Sequence, residues 1–376
     1  MSVVLREVTT PKELKQFVNF PYRLYKGNPY RVPGLIASEL KTLSADRNPA
    51  FAYSQARYWL ALQEGKVVGR VAAILSQGHR QRWNQVYMRF GWLDFIDNAE
   101  ISTALLGKVE EWARAENCTA VHGPLGFTDM DQAGMLVEGF DELATMATNY
   151  NYPYYPQHLE RLGYAKDVDW IEYEFTTPTE PDPKIAKLSE IIQKRENLHL
   201  YVPKNKQDML SRAGELFSLF NETYRNLYGF IPLSDRQIEE YTKQYLGFIR
   251  PDFVPLVLDA HERMVAFGIT MPSLSRAMQK ANGRLFPFGF FHILRAMKKN
   301  DRADLYLVAV KPEYQGKGVN AVLIHHMTEV FIAHGIRKVE SNPELETNLL
   351  VQGQWKQFEK RQHKRRRVYI KHLASN

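Results

Sequence analysis

One succession of predicted elements occurs twice along the chain, and this repetition limits the folds open to it. Each half has a hairpin, a strand, a helix and a short strand, predicted at 58–63, 67–76, 86–96, 100–116 and 120–123 and again at 253–259, 264–271, 305–310, 319–334 and 338–341. The segments 65–74 and 262–271 can be set side by side, as can 113–123 and 331–341. An order that returns at similar spacing predicts an internal duplication.

A proline-rich stretch separates the two copies. The run from Thr176 to Pro183 predicts a linker, which gives domains at 1–175 and 184–376. Both are long enough to bury a core of their own. We expect an α/β (α+β) fold in which each domain has a mixed, mostly antiparallel sheet flanked by helices. Helical segments are predicted before 57, at 184–195 and at 209–247.

Composition limits the cellular setting and the partners. The net charge of +7 and pI near 9.2 suit an anionic partner, which leaves phosphorylated ligands, nucleic acid and acidic lipid open. The single cysteine, Cys118, excludes an internal disulfide and is expected to be a buried residue at a helix end. The sequence has no apolar run near 18 residues and no signal-peptide core, so we expect a cytoplasmic protein.

The stretch 305–324 has the order strand, glycine-containing loop, helix. A helix N-terminus offers unpaired backbone N–H groups and a positive dipole end, which together bind phosphate. Gly316 and Gly318 keep the approach free of side chains. The spacing matches neither a P-loop nor the dinucleotide motif G-x-G-x-x-G, because Ala321 stands at the third glycine position of the latter.

The loop resembles motif A of the GNAT acyl-CoA N-acyltransferases, Gln/Arg-x-x-Gly-x-Gly/Ala. Here it reads Gln315-Gly-Lys-Gly-Val-Asn320 after a Val-x-Pro-Glu-Tyr lead-in, with Asn320 replacing the usual Gly or Ala. The resemblance implies acetyl-CoA or a longer acyl-CoA as co-substrate. It assigns the cofactor to Val308, Ala309, Val310, Gln315, Gly316, Lys317, Gly318, Val319, Asn320 and Asn348.

The first copy differs at the position of that loop. Residues 93–100 have no glycine and carry three carboxylates, so this copy is not expected to hold CoA in the same way. The segment 123–156 fits no clean period and is predicted to be a long loop. It resembles a segment found in bacterial tandem-GNAT proteins, of the form GP-x-x-F…D…G-x-LV-x-GFD…YN-x-PYY. The first copy is predicted either to shape the acceptor cleft or to be purely structural.

The sequence offers several candidates for the catalytic residues. Glu340, Glu344 and Glu346 are candidate general bases in the segment after the last repeated strand. Many family members place a tyrosine acid seven residues after the position of Asn348, where this chain has Trp355. Tyr369, or a tyrosine of the 123–156 segment, is therefore the candidate proton donor. No Cys/His spacing indicates a metal site.

Residues 272–302 form an insertion that is both aromatic and basic. This composition suits an interfacial helix at the inner face of a membrane, a lid over a long apolar ligand, or a helix packed on the body. The prediction is an N-acyltransferase acting on a small-molecule or lipid amine, the lipid variant being implied by resemblance to bacterial sphingoid-base acylating proteins. The alternative is a non-catalytic protein that binds nucleic acid or anionic lipid, suggested by the basic tail 356–371.

Overall fold

The computed structural model describes residues 2–246 and 249–374, and these residues form two units. The first unit contains 1–171, 274–293 and 363–376, and the second contains 172–273 and 294–362. The predicted domains, 1–175 and 184–376, follow the chain without interruption, and the units do not. The last strand belongs mainly to the first unit because it pairs there with the strand at Ala120–Gly123.

The strands are β1 (Val4–Glu7), β2 (Ser54–Gln63), β3 (Lys66–Ser76), β4 (Tyr87–Phe95), β5 (Ala120–Gly123), β6 (Met135–Glu138), β7 (Ala165–Thr176), β8 (Leu198–Tyr201), β9 (Leu256–Asp259), β10 (Met264–Pro272), β11 (Arg302–Val310), β12 (Lys338–Glu340), β13 (Glu344–Leu345) and β14 (Lys360–His372). The helices are α1 (Pro11–Leu24), α2 (Ile36–Thr42), α3 (Gln77–Trp83), α4 (Ala99–Ala115), α5 (Tyr154–Arg161), α6 (Pro183–Glu196), α7 (Lys206–Ser211), α8 (Ala213–Tyr224), α9 (Asp235–Tyr241), α10 (Ser275–Ala281), α11 (Gly289–Lys298), α12 (Asn320–Ala333) and α13 (Leu349–Gly353).

The first unit is built on the strand order β1-β2-β3-β4-β5-β14. Strands β4 and β5 are parallel, while the other neighbours with a described register are antiparallel. The predicted β2–β3 hairpin is confirmed, and its turn places Glu64 and Gly65 at positive φ, as a two-residue turn requires. Helix α4 buries Leu105, Leu106 and Val109 in the core of this unit.

The second unit repeats this arrangement with the order β8-β9-β10-β11-β12-β7. Strands β11 and β12 are parallel, as β4 and β5 are, and β8 to β11 are successively antiparallel. Helix α12 connects the parallel pair and buries Val322 and Leu323 against α6 and the sheet. The predicted fold of two mixed, mostly antiparallel α/β copies is confirmed.

Several boundaries differ from the sequence-based expectation. Strand β1 was not predicted, because its four residues are half exposed and show little pattern. The segment 123–156, predicted to be a loop, contains β6, which pairs with β14. The predicted helical region 209–247 divides into α7, α8, α9 and a π-helical turn at Thr242–Leu246, and Gly247 lies outside the described residues.

Two further expectations concern burial and the membrane. Cys118 is buried just beyond α4, as expected, and burial raises the pKa of its thiol to about 11. Within 2–246 and 249–374, none of the helices combines the length and apolarity needed to cross a bilayer.

Candidate active site

The loop between β11 and α12 has the geometry of an anion-binding turn. Gly316 and Gly318 adopt φ of 75° and 86°, values that favour glycine. Within the described part of the chain, no hydrogen-bond acceptor is found for the backbone N–H groups of Gly316, Gly318, Val319 or Asn320. Four free donors at the N-terminus of a 14-residue helix form a site for a phosphate oxygen.

Other residues of the predicted motif hold the loop in shape. The Gln315 side chain donates from Nε2 to the Val310 carbonyl (2.9 Å), so it ties the loop to the end of β11. A Cβ at Gly318 would lie 3.1 Å from Ile192 Cδ1, which means that glycine allows the loop to pack on α6. Val319 is buried beside it. These contacts preorganise the four donors.

The charge around the loop is partly neutralised by the protein itself. Lys317 Nζ lies 3.2 Å from Glu196 Oε2, and the Arg195 guanidinium donates to the Lys317 carbonyl (2.8 Å). The same two cations lower the pKa of Glu196, Arg195 contributing most. Because all three groups are at least partly open to solvent, the pairs are available for exchange with an anionic ligand.

Strand β11 separates from β12 beyond Asp304, the last residue of their parallel register. Asn342 occupies the start of the gap: its N–H donates to the Leu305 carbonyl (3.1 Å) and its Nδ2 to the Tyr306 carbonyl (2.9 Å). Further along, the Tyr224 hydroxyl of α8 donates to the Val308 carbonyl (3.1 Å). The predicted cofactor strand is therefore splayed on this side.

On its other side, β11 is fully paired. Val308, Ala309 and Val310 are in register with Gly268, Phe267 and Ala266 of β10. The three predicted cofactor-strand residues are thus held by one neighbour only, which leaves the opposite edge for a ligand.

Glu344, one of the predicted bases, has a partly buried carboxyl with an aromatic hydrogen-bond partner. Its Oε1 accepts the Trp355 indole N–H (2.8 Å), while its buried Oε2 has no hydrogen-bond partner among the residues that the structure describes. Phe175 packs on Trp355 with ring centroids 5.0 Å apart. Burial in this aromatic setting raises the pKa of Glu344 to about 7, and the Trp355 bond opposes that rise. A carboxyl that is half ionised near neutral pH suits general-base work.

The remaining predicted residues occupy other positions. Glu340 is buried on β12 opposite Glu174 of β7. Glu346 lies two residues beyond Glu344, where its carbonyl accepts from Gln352. The Asn348 side chain caps α13 by accepting the Val351 N–H (3.3 Å). Tyr369 belongs to the first unit, where its buried ring directs the hydroxyl to Glu160 (2.9 Å).

Tyr224, Asn342 and the partnership of Trp355 with Glu344 were missed by sequence reasoning. Tyr224 meets Val308 across 84 residues of chain, and no local pattern signals such a contact. The tryptophan–glutamate pair is separated by 11 residues, and the sequence showed only that a tryptophan replaces a tyrosine.

The corresponding position of the first unit is filled by its own side chains. Strand β4 continues to Phe95, so only residues 96–98 separate it from α4, fewer than the predicted segment 93–100. The Tyr154 hydroxyl donates to the Phe95 carbonyl (2.6 Å), and the Phe95 N–H donates to the Tyr155 hydroxyl (3.0 Å). The backbone groups at this strand end are therefore already satisfied.

The carboxylates of that segment also have internal partners. Asp94 is buried in an ion pair with Arg70 (2.8 Å) and accepts the Tyr25 hydroxyl (2.9 Å). Asp97 lies 2.9 Å from His158 Nε2. That this copy does not hold CoA in the GNAT manner stays a prediction.

The first unit nevertheless holds two carboxyls of unusual acidity. Burial raises the pKa of Asp131 to about 6, although its carboxylate accepts the Phe127 and Thr128 N–H groups. Protein atoms surrounding Asp129 raise the pKa of its carboxyl to about 7, although the residue is exposed at the surface. Its exposure makes Asp129 a weaker candidate for proton transfer than Glu344.

This sheet order, with a splayed strand and a glycine loop before a helix, is a GNAT-like fold. Residues 215–352, just over a third of the chain, match the Acetyltransferase (GNAT) family. The chain as a whole has the fold of tandem GNAT proteins.

Two curated proteins extend the likeness over most of the chain. Protein YghO of Escherichia coli (strain K12) is 28% identical over 377 residues, covering 98% of this chain and 95% of that protein. The bacterial ceramide synthase of Caulobacter vibrioides is 26% identical over 317 residues, covering 82% and 80%.

Solved structures agree on the fold. A tandem GNAT protein from the clavulanic acid biosynthesis pathway superposes with a TM-score of 0.56 at 12% identity, covering 100% of both chains. A GCN5-related N-acetyltransferase from Sphaerobacter thermophilus gives a TM-score of 0.51 at 11% identity, covering 98% of this chain and 95% of that one.

Proposed function

We propose that this protein is an N-acyltransferase that moves an acyl group from CoA to an amine, with the CoA site in the second unit. The observation that carries the proposal is the set of four free backbone N–H groups at Gly316, Gly318, Val319 and Asn320. The CoA pyrophosphate would accept these donors. The pantetheine arm would lie along the open edge of β11, where it separates from β12.

Glu344 is proposed as the general base. Its Oε2 would accept a proton from the acceptor ammonium or attacking amine, directly or through one water. The amine nitrogen then forms a bond to the thioester carbonyl carbon, and the carbon–sulfur bond breaks as the tetrahedral intermediate collapses. A backbone N–H on the unpaired edge of β11 would stabilise the oxyanion.

Tyr224 is proposed as the proton donor to the departing thiolate. Its hydroxyl already lies at the Val308 carbonyl, on the strand assigned to pantetheine, and its ring is fixed against Phe220 with centroids 4.4 Å apart. After the transfer, Glu344 releases its proton to water and the phenolate regains one from water. Trp355, at the position of the usual tyrosine, would instead hold the base in place.

The acceptor is proposed to be an amine on a lipidic or long-chain molecule, and the donor a long-chain acyl-CoA. Support comes from the relative named bacterial ceramide synthase, since a ceramide is an N-acylated long-chain amine, and from the apolar insertion 272–302. An acetyl donor and a small amine are the other outcome of the assay below.

The non-catalytic alternative loses its main support. The basic tail that suggested nucleic-acid binding forms β14, where Arg365 and Arg367 both pair with the buried Asp169. Arg366 is itself buried. These cations are therefore engaged inside the protein.

The test is CoA binding by isothermal titration with a matched pair of glycine variants. In Gly316→Glu, a carboxylate faces the phosphate, and the dissociation constant should rise about a hundredfold, or about 2.7 kcal/mol. Gly65→Glu is the control, because Gly65 has nearly the same φ (74° against 75°) and an equally open surrounding.

Unchanged CoA affinity in Gly316→Glu, or no CoA binding by the native chain, would remove the proposal. If CoA binds, thiol release and mass spectrometry with acetyl- and palmitoyl-CoA and a panel of amines then identify the donor and acceptor classes.

A further inference from the structure

The segment 284–298 exposes a group of large apolar side chains. Phe286, Phe288, Phe291 and Leu294 are 75%, 68%, 57% and 54% exposed. Among the described residues these three phenylalanines are the only aromatics in the set of exposed large hydrophobic residues. A folded chain leaves such a group in water only at a cost, so a contiguous aromatic patch indicates a binding surface. We call residues 284–298 the aromatic wedge.

The wedge is a defined structure. The Phe290 ring lies 5.7 Å from that of Phe286 and 3.9 Å from that of Phe291, and the Phe290 N–H donates to the Leu285 carbonyl (2.8 Å). Helix α11 then carries the chain from Gly289 to Lys298. Phe286 and Phe288 therefore lie in the turn that leads into α11, and Phe291 lies in the first turn of the helix.

The chain entering the wedge is anchored to the first unit. The Ile36 N–H donates to the Gly283 carbonyl (3.0 Å), and Gln279 Nε2 donates to the carbonyls of Pro29 (2.8 Å) and Arg31 (3.0 Å). Helix α10 buries Ala277 and Met278 at the same place. The apolar side chains of α10 point into the protein, whereas those of the wedge do not.

The charged side chains of the segment that contains the wedge are all positive. Residues 272–300 contain six lysines and arginines and neither aspartate nor glutamate: Arg276, Lys280, Arg284, Arg295, Lys298 and Lys299. Arg284, Arg295 and Lys298 are exposed, so they flank the exposed rings. Aromatic residues beside cations fit the interface of an anionic bilayer, where rings enter the acyl boundary and cations meet lipid phosphates.

We propose that the aromatic wedge docks this protein on an anionic lipid bilayer. Phe286, Phe288 and Phe291 would enter the headgroup and acyl boundary to a depth of about 5–10 Å, with Arg284, Arg295 and Lys298 at the phosphates. A second copy of the chain is the less suitable occupant, because two such surfaces would bring like charges together. Nucleic acid would leave the apolar rings without a partner unless its bases were unstacked.

The test is co-sedimentation of the full chain with vesicles of phosphatidylethanolamine and phosphatidylglycerol, compared with phosphatidylcholine alone. Binding is expected only to the anionic vesicles, and it should weaken as salt is added. Phe286→Ser/Phe288→Ser/Phe291→Ser should lower the partition coefficient at least about tenfold. Each of Arg284→Gln, Arg295→Gln and Lys298→Gln should lower it about fivefold.

The matched control is Leu188→Ser/Ile191→Ser on α6, which removes two apolar side chains that are 45% and 47% exposed outside the wedge. This variant should bind vesicles as the native chain does. CoA affinity and circular dichroism, measured on every variant, show that the fold is intact and keep this proposal separate from the acyltransferase proposal.

Three results would overturn the proposal. They are no binding to anionic vesicles, native binding by the triple-serine variant, and a concentration-dependent dimer in sedimentation velocity that the triple-serine variant abolishes. The last result would assign the wedge to a second copy of the chain.

Discussion

The two copies of the α/β unit differ most at the end of the strand that precedes the parallel crossover helix. In the second copy, β11 is followed by a glycine loop with four N–H groups that have no acceptor among the described residues. In the first, Tyr154 and Tyr155 bond the backbone of Phe95 at the end of β4. The same topology therefore presents the proposed anion site once and a filled strand end once. Because the two copies share their strand order, the difference between them comes from the local side chains.

The two copies also differ in the surroundings of their buried carboxylates. In the first copy, Asp94 is neutralised by Arg70 and serves packing. In the second, Glu344 has only an indole N–H as partner and one oxygen free. An ion pair keeps a carboxylate charged and fixed, whereas an apolar setting leaves it able to exchange a proton near neutral pH.

The largest expected effect tests which copy supplies the base. Glu344→Gln should lower kcat about a thousandfold, or about 4 kcal/mol, because the amide cannot accept the proton. Asp129→Asn in the first copy should leave kcat within about threefold of native. Steady-state kinetics of both variants measure these two values of kcat. A large loss of kcat in Asp129→Asn with a small loss in Glu344→Gln would assign the general base to the first copy.

Next in size is a change that damages only the filled copy. Arg70→Met leaves Asp94 buried without its cation and should lower the free energy of unfolding by about 3 kcal/mol in urea titrations. CoA affinity should not change. Glu7→Gln is the control, since the Arg57–Glu7 pair is about 40% exposed and should contribute less than about 1 kcal/mol. Loss of CoA binding in folded Arg70→Met would show that the first copy supports the cofactor site.

A smaller effect concerns the stability of the folded protein at low pH. Burial alone would raise the pKa of Glu174, but hydrogen bonds from Arg302 and Arg361 lower it to about 2. A depressed folded-state pKa stabilises the protein above the unfolded value of 4.5, and this contribution disappears as pH falls toward 2. Because the arginines are partly exposed, we expect on the order of 2 kcal/mol.

Urea unfolding of native chain and Glu174→Gln at several pH values measures this contribution. The two curves should differ at pH 7 and converge near pH 2. Asp169 of the first copy, whose pKa arginines also lower against the effect of burial, provides the comparison through Asp169→Asn. Parallel curves across this range would contradict the assignment.

The smallest effect is a shift in a pH profile. Glu344 must be ionised to act, so kcat/KM should rise through pH 7 and level off above it. Trp355→Phe removes the N–H that favours the ionised carboxylate, and the midpoint should move upward by up to about one pH unit. A profile that keeps its midpoint would show that Trp355 only packs there.

The sequence revealed the two copies and the glycine loop before α12 because both depend on local pattern. Hairpin turns, helix periodicity and Gly316 with Gly318 are readable over a few residues. The placement of β14 depends on pairing with β5 across more than 200 residues, and no neighbouring residue specifies it. The contacts of Gln315 with Val310 and of Asn348 with Val351 could not be predicted either, because the residue type alone does not show which backbone group a side chain will bond. Their assignment to the cofactor stays a prediction.

Glu196 beside the phosphate loop has a kinetic consequence. Its carboxylate pairs with Lys317, so the pyrophosphate of the proposed CoA ligand would have to compete for that cation. This competition would limit how tightly the pyrophosphate is held and would shorten the residence time of the CoA product. Because the acyl donor and the CoA product carry the same nucleotide, weaker binding of that part would speed product release in the proposed reaction.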